Sequence, residues 1–197
     1  MRSPRERMVV SAALLIRERG AHATAISDVL AHSRAPRGSA YHYFPGGRTQ
    51  LLREAVDYAG DHVGAVIAGA DTGLNLLDTL IDKYRKQLLD SDFRAGCPIV
   101  AVSVESGDDQ DRERMAPVIE RAAAAFDHWT DLIAQRFIAD GIPAGEATGL
   151  AVLAISALEG AIVLARVRRD VAPLELVHRQ LRNSLLTALG RTPTDDR

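Results

Sequence analysis

Apolar residues recur at three- and four-residue intervals along almost the whole chain, the pattern of successive amphipathic helices. Ser3-Pro4-Arg5-Glu6 forms a capping box with Pro at the first helical position. It opens a helix that runs to Arg19, with Val9, Ala12, Ala13 and Ile16 on one face and Gly20 as its stop. Thr24 is placed to N-cap a short helix carrying Ile26, Val29 and Leu30 at i, i+3 and i+4. A break at Ser33-Arg34-Ala35-Pro36 leads into a second short segment over 37–44, ended by Pro45-Gly46-Gly47. Longer helices are predicted over 48–68, 74–89, 144–169 and 173–189. Another starts from a cap at Gly107-Asp108-Asp109, continues past an expected kink at Pro117 to residue 139, and carries Ile119, Ala122, Phe126, Trp129, Ile133 and Phe137 as its stripe.

One stretch is ambiguous. The β-branched content of 99–104 favours a strand, but a lone strand in a helical chain has no partner, so a short buried helix starting at Pro98 is the better reading. The expectation is an all-α protein of about nine helices. It divides into a three-helix head over 1–47, a larger helical body over 48–191 and a polar tail over 192–197.

The last two helices differ in side-chain size. The first is studded with Gly149, Ala151, Ala154, Ala157, Gly160 and Ala161, and the second carries Leu174, Val177, Leu181, Leu185 and Leu189 on one stripe. Small residues against leucines suit close antiparallel pairing. Two helices cannot bury all this apolar surface, so the same pair from a second copy is expected to complete a four-helix bundle about a twofold axis. The expected homodimer interface comprises Gly149, Leu153, Ala157, Gly160, Leu164, Leu174, Val177, Leu181 and Leu185. The longest apolar run, 149–165, is interrupted by Glu159 and is largely Ala and Gly. It reads as too short and too weakly apolar for a membrane span, so no membrane partner is expected.

Charge changes the picture more than composition does. The net formal charge is −2, but residues 1–53 hold nine Arg against Glu6, Glu18 and Asp28. A basic head on an acidic body is the electrostatic footprint of a small nucleic-acid-binding domain. The single cysteine, Cys97, excludes an intramolecular disulfide, and with a charged rather than apolar start to the chain it suits a cytoplasmic protein.

Two short helices around a tight turn are the layout of a helix-turn-helix, whose second helix enters the DNA major groove. Here that segment carries Arg37, Ser39, Tyr41, His42 and Tyr43, all able to reach phosphates or base edges. Gly38 would let the backbone approach a phosphate, and Arg48 sits in the first turn of the next helix, where a cation and free N–H groups together could hold one. Phe44 is the expected core residue of the segment.

At these residues the chain resembles the TetR/AcrR family of transcriptional regulators: Gly20, Thr24, Asp28, Val29 and then Arg37-Gly38-Ser39-x-Tyr41-His42-Tyr43-Phe44. The continuation Phe44-Pro45-Gly46-Gly47-Arg48 and the later Gly96-Cys97-Pro98 resemble its LmrA/YxaF-like subgroup. Two positions depart from the pattern. Arg34 stands where a turn Gly is usual, at an expected cost of about 1 kcal/mol if φ is positive, and Pro36 stands where a small hydroxyl residue is usual.

The resemblance implies a dimeric, ligand-responsive repressor on a palindromic operator in double-stranded DNA. The implied DNA contacts are Thr24, Ser27, Arg37, Gly38, Ser39, Tyr41, His42, Tyr43 and Arg48. A pocket for a small, mostly apolar molecule is expected around Tyr84, Cys97, Phe126, Trp129 and Phe137. No cofactor is implied and no cluster has metal-ligand spacing. A helical enzyme would have only Cys97, Glu105 and His128 to offer, with nothing to fix their geometry. A protein-binding adaptor would not need nine Arg in its first 53 residues.

Overall fold

The structure is a computed structural model that describes residues 2–105 and 108–191. Gly107 of the expected cap and the tail over 192–197 lie outside the described residues. Among those described the chain is helical without strands: α1 (Pro4–Arg19), α2 (Ile26–Ser33), α3 (Ser39–Tyr43), α4 (Gly47–Ala68), α5 (Gly73–Asp90), α6 (Pro98–Val104), α7 (Asp109–Ala139), α8 (Ala144–Arg168) and α9 (Ala172–Ala188). The all-α expectation holds. The helices form two compact units, one of Met1–His62 with Cys97–Phe126 and one of Val63–Gly96 with Asp127–Arg197. The stretch 1–47 falls within the first, while 48–191 is shared between the two.

In the first unit the capping box of α1 closes as its sequence requires. The Ser3 hydroxyl accepts the Glu6 N–H at 3.2 Å, and the Glu6 carboxylate accepts the Ser3 N–H at 2.7 Å. The Ser3 backbone N–H, and after it the Ser3 hydroxyl, hold the Glu6 carboxyl below its usual range. Met8, Ala12 and Ile16 are fully buried, and α1 packs against α2, α3 and α6. The ambiguous stretch is a helix: α6 buries Ile99 and Val102, and its position against α1 outweighs the strand preference of its β-branched residues.

In the second unit α9 lies against α5 and α8, and its Leu174, Leu181 and Leu185 are buried there. The N-terminus of α5 is fixed twice. Thr72 Oγ1 accepts the Asn75 N–H at 3.1 Å, and the Asp140 carboxylate accepts the Gly73 N–H at 2.5 Å. The Phe137 ring occupies the space above Gly73, where a Cβ would stand 2.7 Å from it.

Two expectations fail. Pro117 lies inside α7 without ending it, but the buried positions beside it are Met115, Val118 and Ala122; Ile119 is exposed and Phe126 only half-buried. Beside the proline the buried position is thus Val118, one residue before the expected Ile119, and the expected stripe is met at Ala122, Trp129, Ile133 and Phe137. The second concerns α8, whose 25 residues include an 18-residue window of mean hydropathy 2.0. By length and composition alone this helix could cross a membrane, contrary to the expectation of a run too short and too weakly apolar. Only 33% of that window is buried, in a set that includes Ala151, Ala154, Leu158, Ala161 and Ile162.

The turn after α2 takes left-handed geometry without glycine. Arg34 has φ 53° and ψ 37°, and its N–H donates to the Ala31 carbonyl at 3.3 Å. Relieving this conformation with Arg34→Gly is expected to stabilise the chain by about 1 kcal/mol, raising the melting temperature by about 2–4 °C in a calorimetric scan.

Candidate nucleic-acid interface

The expected helix-turn-helix forms, but its polar residues divide into an outer and an inner set. α2 is capped by Ala25, whose N–H donates to the Asp28 carboxylate at 3.2 Å. Thr24 is not the cap. Its side chain is buried at 1% exposure and its hydroxyl donates to the Gly20 carbonyl at 2.7 Å, which removes it from any DNA surface. Arg48 is drawn inward as well. Its guanidinium donates to the carbonyls of Thr24 at 3.0 Å, of His22 at 3.4 Å and of Ala21. Burial pulls its pKa down and the charge of Glu105 opposes that shift. The sequence reading gave both residues to phosphate; the structure buries Thr24 and engages the Arg48 guanidinium with the carbonyls of the α1–α2 loop. A loop with three inward carbonyls needs a donor, and Arg48 supplies it.

α3 begins at Ser39, two residues into the expected segment over 37–44. The Ser39 N–H and hydroxyl both donate to the Pro36 carbonyl, at 2.9 and 2.6 Å, so 36–38 is a turn. Ala40 and Phe44 are each buried at 1% exposure, as expected for Phe44. The Arg5 guanidinium covers the Phe44 ring at 5.5 Å while pairing with Glu54 at 2.7 Å. Arg7 donates to the Ser33 carbonyl at 3.3 Å, at the C-terminus of α2, where a cation suits the helix dipole.

What remains outside is a smaller set. Ser27, Arg37, Gly38, Tyr41 and His42 are exposed, Tyr41 to 79%. Tyr43 is half-buried and meets the His42 ring edge-on at 5.1 Å. Gly38 has an ordinary right-handed conformation, and an added Cβ would meet nothing within 4 Å. Nothing within the fold requires glycine there, and the open space above it is where a phosphate could approach.

The second unit carries a separate cleft of about 340 Å³, open mouth included, lined by Leu76, Leu77, Leu80, Ile81, Ile133, Ala154, Ile155, Leu158 and Leu181. None of the expected pocket residues lines it. Tyr84 and Trp129 are buried in packing, and Cys97 and Phe126 belong to the other compact unit. Phe137 lines a smaller cleft that shares Leu77, Ala154 and Leu181 with the first. The sequence signal favoured the aromatic stripe, whereas the gap falls where aliphatic side chains from four helices fail to fill the space.

α8 also presents an apolar outer face. Gly149, Val152, Leu153, Ser156, Gly160, Val163, Leu164 and Val167 are all exposed, at helical spacing, with Ala157 half-buried beside them. Of the expected interface residues, Gly149, Leu153, Gly160 and Leu164 lie on this face. Leu174, Leu181 and Leu185 do not, because the leucine stripe of α9 is used inside its own unit, and Val177 is half-buried. Val152, Ser156, Val163 and Val167 were missed, although their spacing from Gly149 contained the signal. Among the described residues no group of three or more His, Cys, Asp and Glu is placed to hold a metal ion.

Comparison with known proteins gives two matches along the chain. Residues 9–55 match the model for bacterial regulatory proteins of the tetR family, and residues 74–180 match the C-terminal domain of LmrA/YxaF-like transcriptional regulators. The HTH-type transcriptional regulator Rv0196 of Mycobacterium tuberculosis is 79% identical over 96% of this chain and 97% of its own. A TetR transcriptional regulator from Legionella pneumophila shares the fold with a TM-score of 0.80 at 19% identity, covering 93% of this chain and 98% of its own. A cysteine mutant of the TetR-family regulator CifR, solved with 26 bp double-strand operator DNA, aligns with a TM-score of 0.67 at 21% identity over 90% and 94% of the two chains.

The inward role of Arg48 has a direct consequence. Arg48→Met is expected to destabilise the chain by about 1–3 kcal/mol, because it leaves loop carbonyls without their donor. Urea denaturation should show a lower midpoint with an unchanged slope. Tyr41→Ala, by contrast, should leave the midpoint within about 0.5 kcal/mol of its original value.

Proposed function

The chain belongs to the TetR family of bacterial transcriptional regulators, and from that membership we propose that it is a cytoplasmic, dimeric repressor released from a palindromic operator by a small apolar ligand. Binding to operator DNA is the activity of the family; the finer statements rest on the surfaces described above. The observation that carries the DNA-reading role is the exposed set on α2, the turn before α3 and α3 itself, Ser27, Arg37, Gly38, Tyr41 and His42, held out by the burial of Ala40 and Phe44. Arg37 supplies charge, the hydroxyls and imidazole supply directional bonds, and a short helix presented by its buried face suits the major groove.

The outer face of α8 supports self-association. A soluble chain rarely leaves such a continuous apolar stripe to water, and a twofold operation would pair it with itself. Gly149 and Gly160 have open space around them within the chain, which suits close approach by another helix. Twofold symmetry then predicts half-sites about one helical turn of DNA apart, or a multiple of it. The 26 bp operator carried by CifR accords with a site of that scale.

The aliphatic cleft of the second unit supports an apolar ligand, and one less aromatic than the Phe and Trp content of α7 suggested. Such a ligand releases DNA only through its differential affinity for the bound and released forms. Trp129 stands one turn before the cleft residue Ile133 on α7, so its emission is the natural reporter. A true inducer is expected to change that emission over the same concentrations that release the operator. Release with silent emission would move the ligand site elsewhere.

Two measurements test the rest. Because several phosphates are neutralised per dimer, log K for the operator should fall with log salt by about 0.9 per phosphate contacted; a flat response on a tightly bound duplex would remove the DNA-reading role. Gly160→Leu adds bulk to open space in the single chain but to the inferred seam in the dimer. It should therefore leave the fold intact, raise the monomer fraction in sedimentation, and weaken the dimer by about 1–3 kcal/mol. An unchanged dimer would take α8 out of the interface.

A further inference from the structure

Outside the DNA-facing set, one cluster in the first unit joins three helices to the loop that enters the helix-turn-helix. Glu105 closes α6, and its carboxylate accepts the His22 backbone N–H at 3.2 Å through Oε1 and 3.0 Å through Oε2. The same carboxylate meets His22 Nδ1 at 3.3 Å, and the other ring nitrogen lies 3.5 Å from the Asp111 carboxylate in the first turn of α7. Arg114 pairs with Asp111, and these two neighbours, Arg114 first, hold the Asp111 carboxyl below its usual range. From α4, Arg48 holds the carbonyls of the same loop. The loop is therefore held both through its His22 N–H and through its carbonyls.

Gly20 completes the site. It has φ 86°, which disfavours any residue with a side chain, and a Cβ built on it would stand 2.0 Å from Glu105 Oε1. The missing side chain is thus the seat of the carboxylate. Gly20 also accepts the buried Thr24 hydroxyl through its carbonyl, so the position of Glu105 is passed to the residue immediately before the α2 cap.

We propose that Glu105 is a positioning residue for DNA reading: seated on Gly20 and bonded to the His22 N–H, it sets the α1–α2 loop and thereby the angle at which α2 and α3 meet the duplex. It touches no DNA itself. The inference rests on the reading of α2 and α3 as the DNA-reading element, and it concerns the reach of the Glu105 oxygens rather than their charge. Glutamine keeps that reach and can still accept the His22 N–H. Aspartate keeps the charge but falls one methylene short.

The test uses the full chain and the duplex that the wild-type protein selects from a random pool, with a random duplex as reference, each titrated well below the melting temperature of every variant. Glu105→Gln is expected to bind the selected duplex within about twofold of wild type. Glu105→Asp and Glu105→Ala should lose about tenfold on it, with little change on the random duplex, so that discrimination falls. Glu105→Asp keeps the proposal testable if the alanine variant fails to fold. The reverse order, aspartate like wild type and glutamine weakened, would make the effect one of charge and overturn the proposal. Equal losses on both duplexes, or no loss in any variant, would overturn it too. A wild-type chain that selects no duplex would remove the DNA-reading role and this inference with it.

Discussion

A five-residue helix cannot sustain itself in water, because nucleation fixes more backbone freedom than so few hydrogen bonds return. α3 therefore exists only because Ala40 and Phe44 are buried against the first unit and because Pro36 offers its carbonyl to both donors of Ser39. Those anchors leave Arg37, Tyr41 and His42 outside with no fold-keeping duty. Presentation of the reading surface and burial of its opposite side are the same event. Arg5 over the Phe44 ring and Arg7 on the Ser33 carbonyl show how much of the basic head supports the motif rather than facing a phosphate.

The loop ahead of α2 carries a second constraint of the same kind. Its carbonyls at Ala21, His22 and Thr24 are met by one guanidinium, and its N–H at His22 by one carboxylate. Opposite charges on two helices thus hold one stretch of backbone. Each satisfies polar groups that would be costly to leave unpaired where the loop is covered. At the other end of α2 Arg34 takes left-handed geometry, beside the Ser33 carbonyl that accepts from Arg7.

α8 faces a different demand. Most of its alanines, Leu158 and Ile162 fill its own unit while its valines, Leu153 and Leu164 point away, so this arrangement of one chain does not bury the whole helix. A helix apolar on every side either enters lipid or finds another protein surface. Membership of a family of DNA-binding regulators favours the second, and the small residues Gly149, Ser156 and Gly160 along the outer face suit a helix coming close.

Much of this was legible in the residues themselves. Capping boxes, Gly and Pro breaks and the 3.6-residue period specify helices locally, so the number and order of elements could be read in advance, as could the helix-turn-helix with Phe44 as its core residue. The same local logic could not foresee the partners of Thr24 and Arg48 within the fold, because a hydroxyl or guanidinium carries no mark of whether its partner is a phosphate or a carbonyl brought near by folding. It also placed the cleft at the aromatic residues of α7, although a gap is set by what neighbouring helices fail to fill. The α9 leucines read as interface when they are interior, since periodicity identifies a buried stripe but not which chain buries it. Partner choice among chemically equivalent groups belongs to tertiary structure alone: it depends on distances between residues far apart in sequence, such as the 83 positions separating His22 from Glu105.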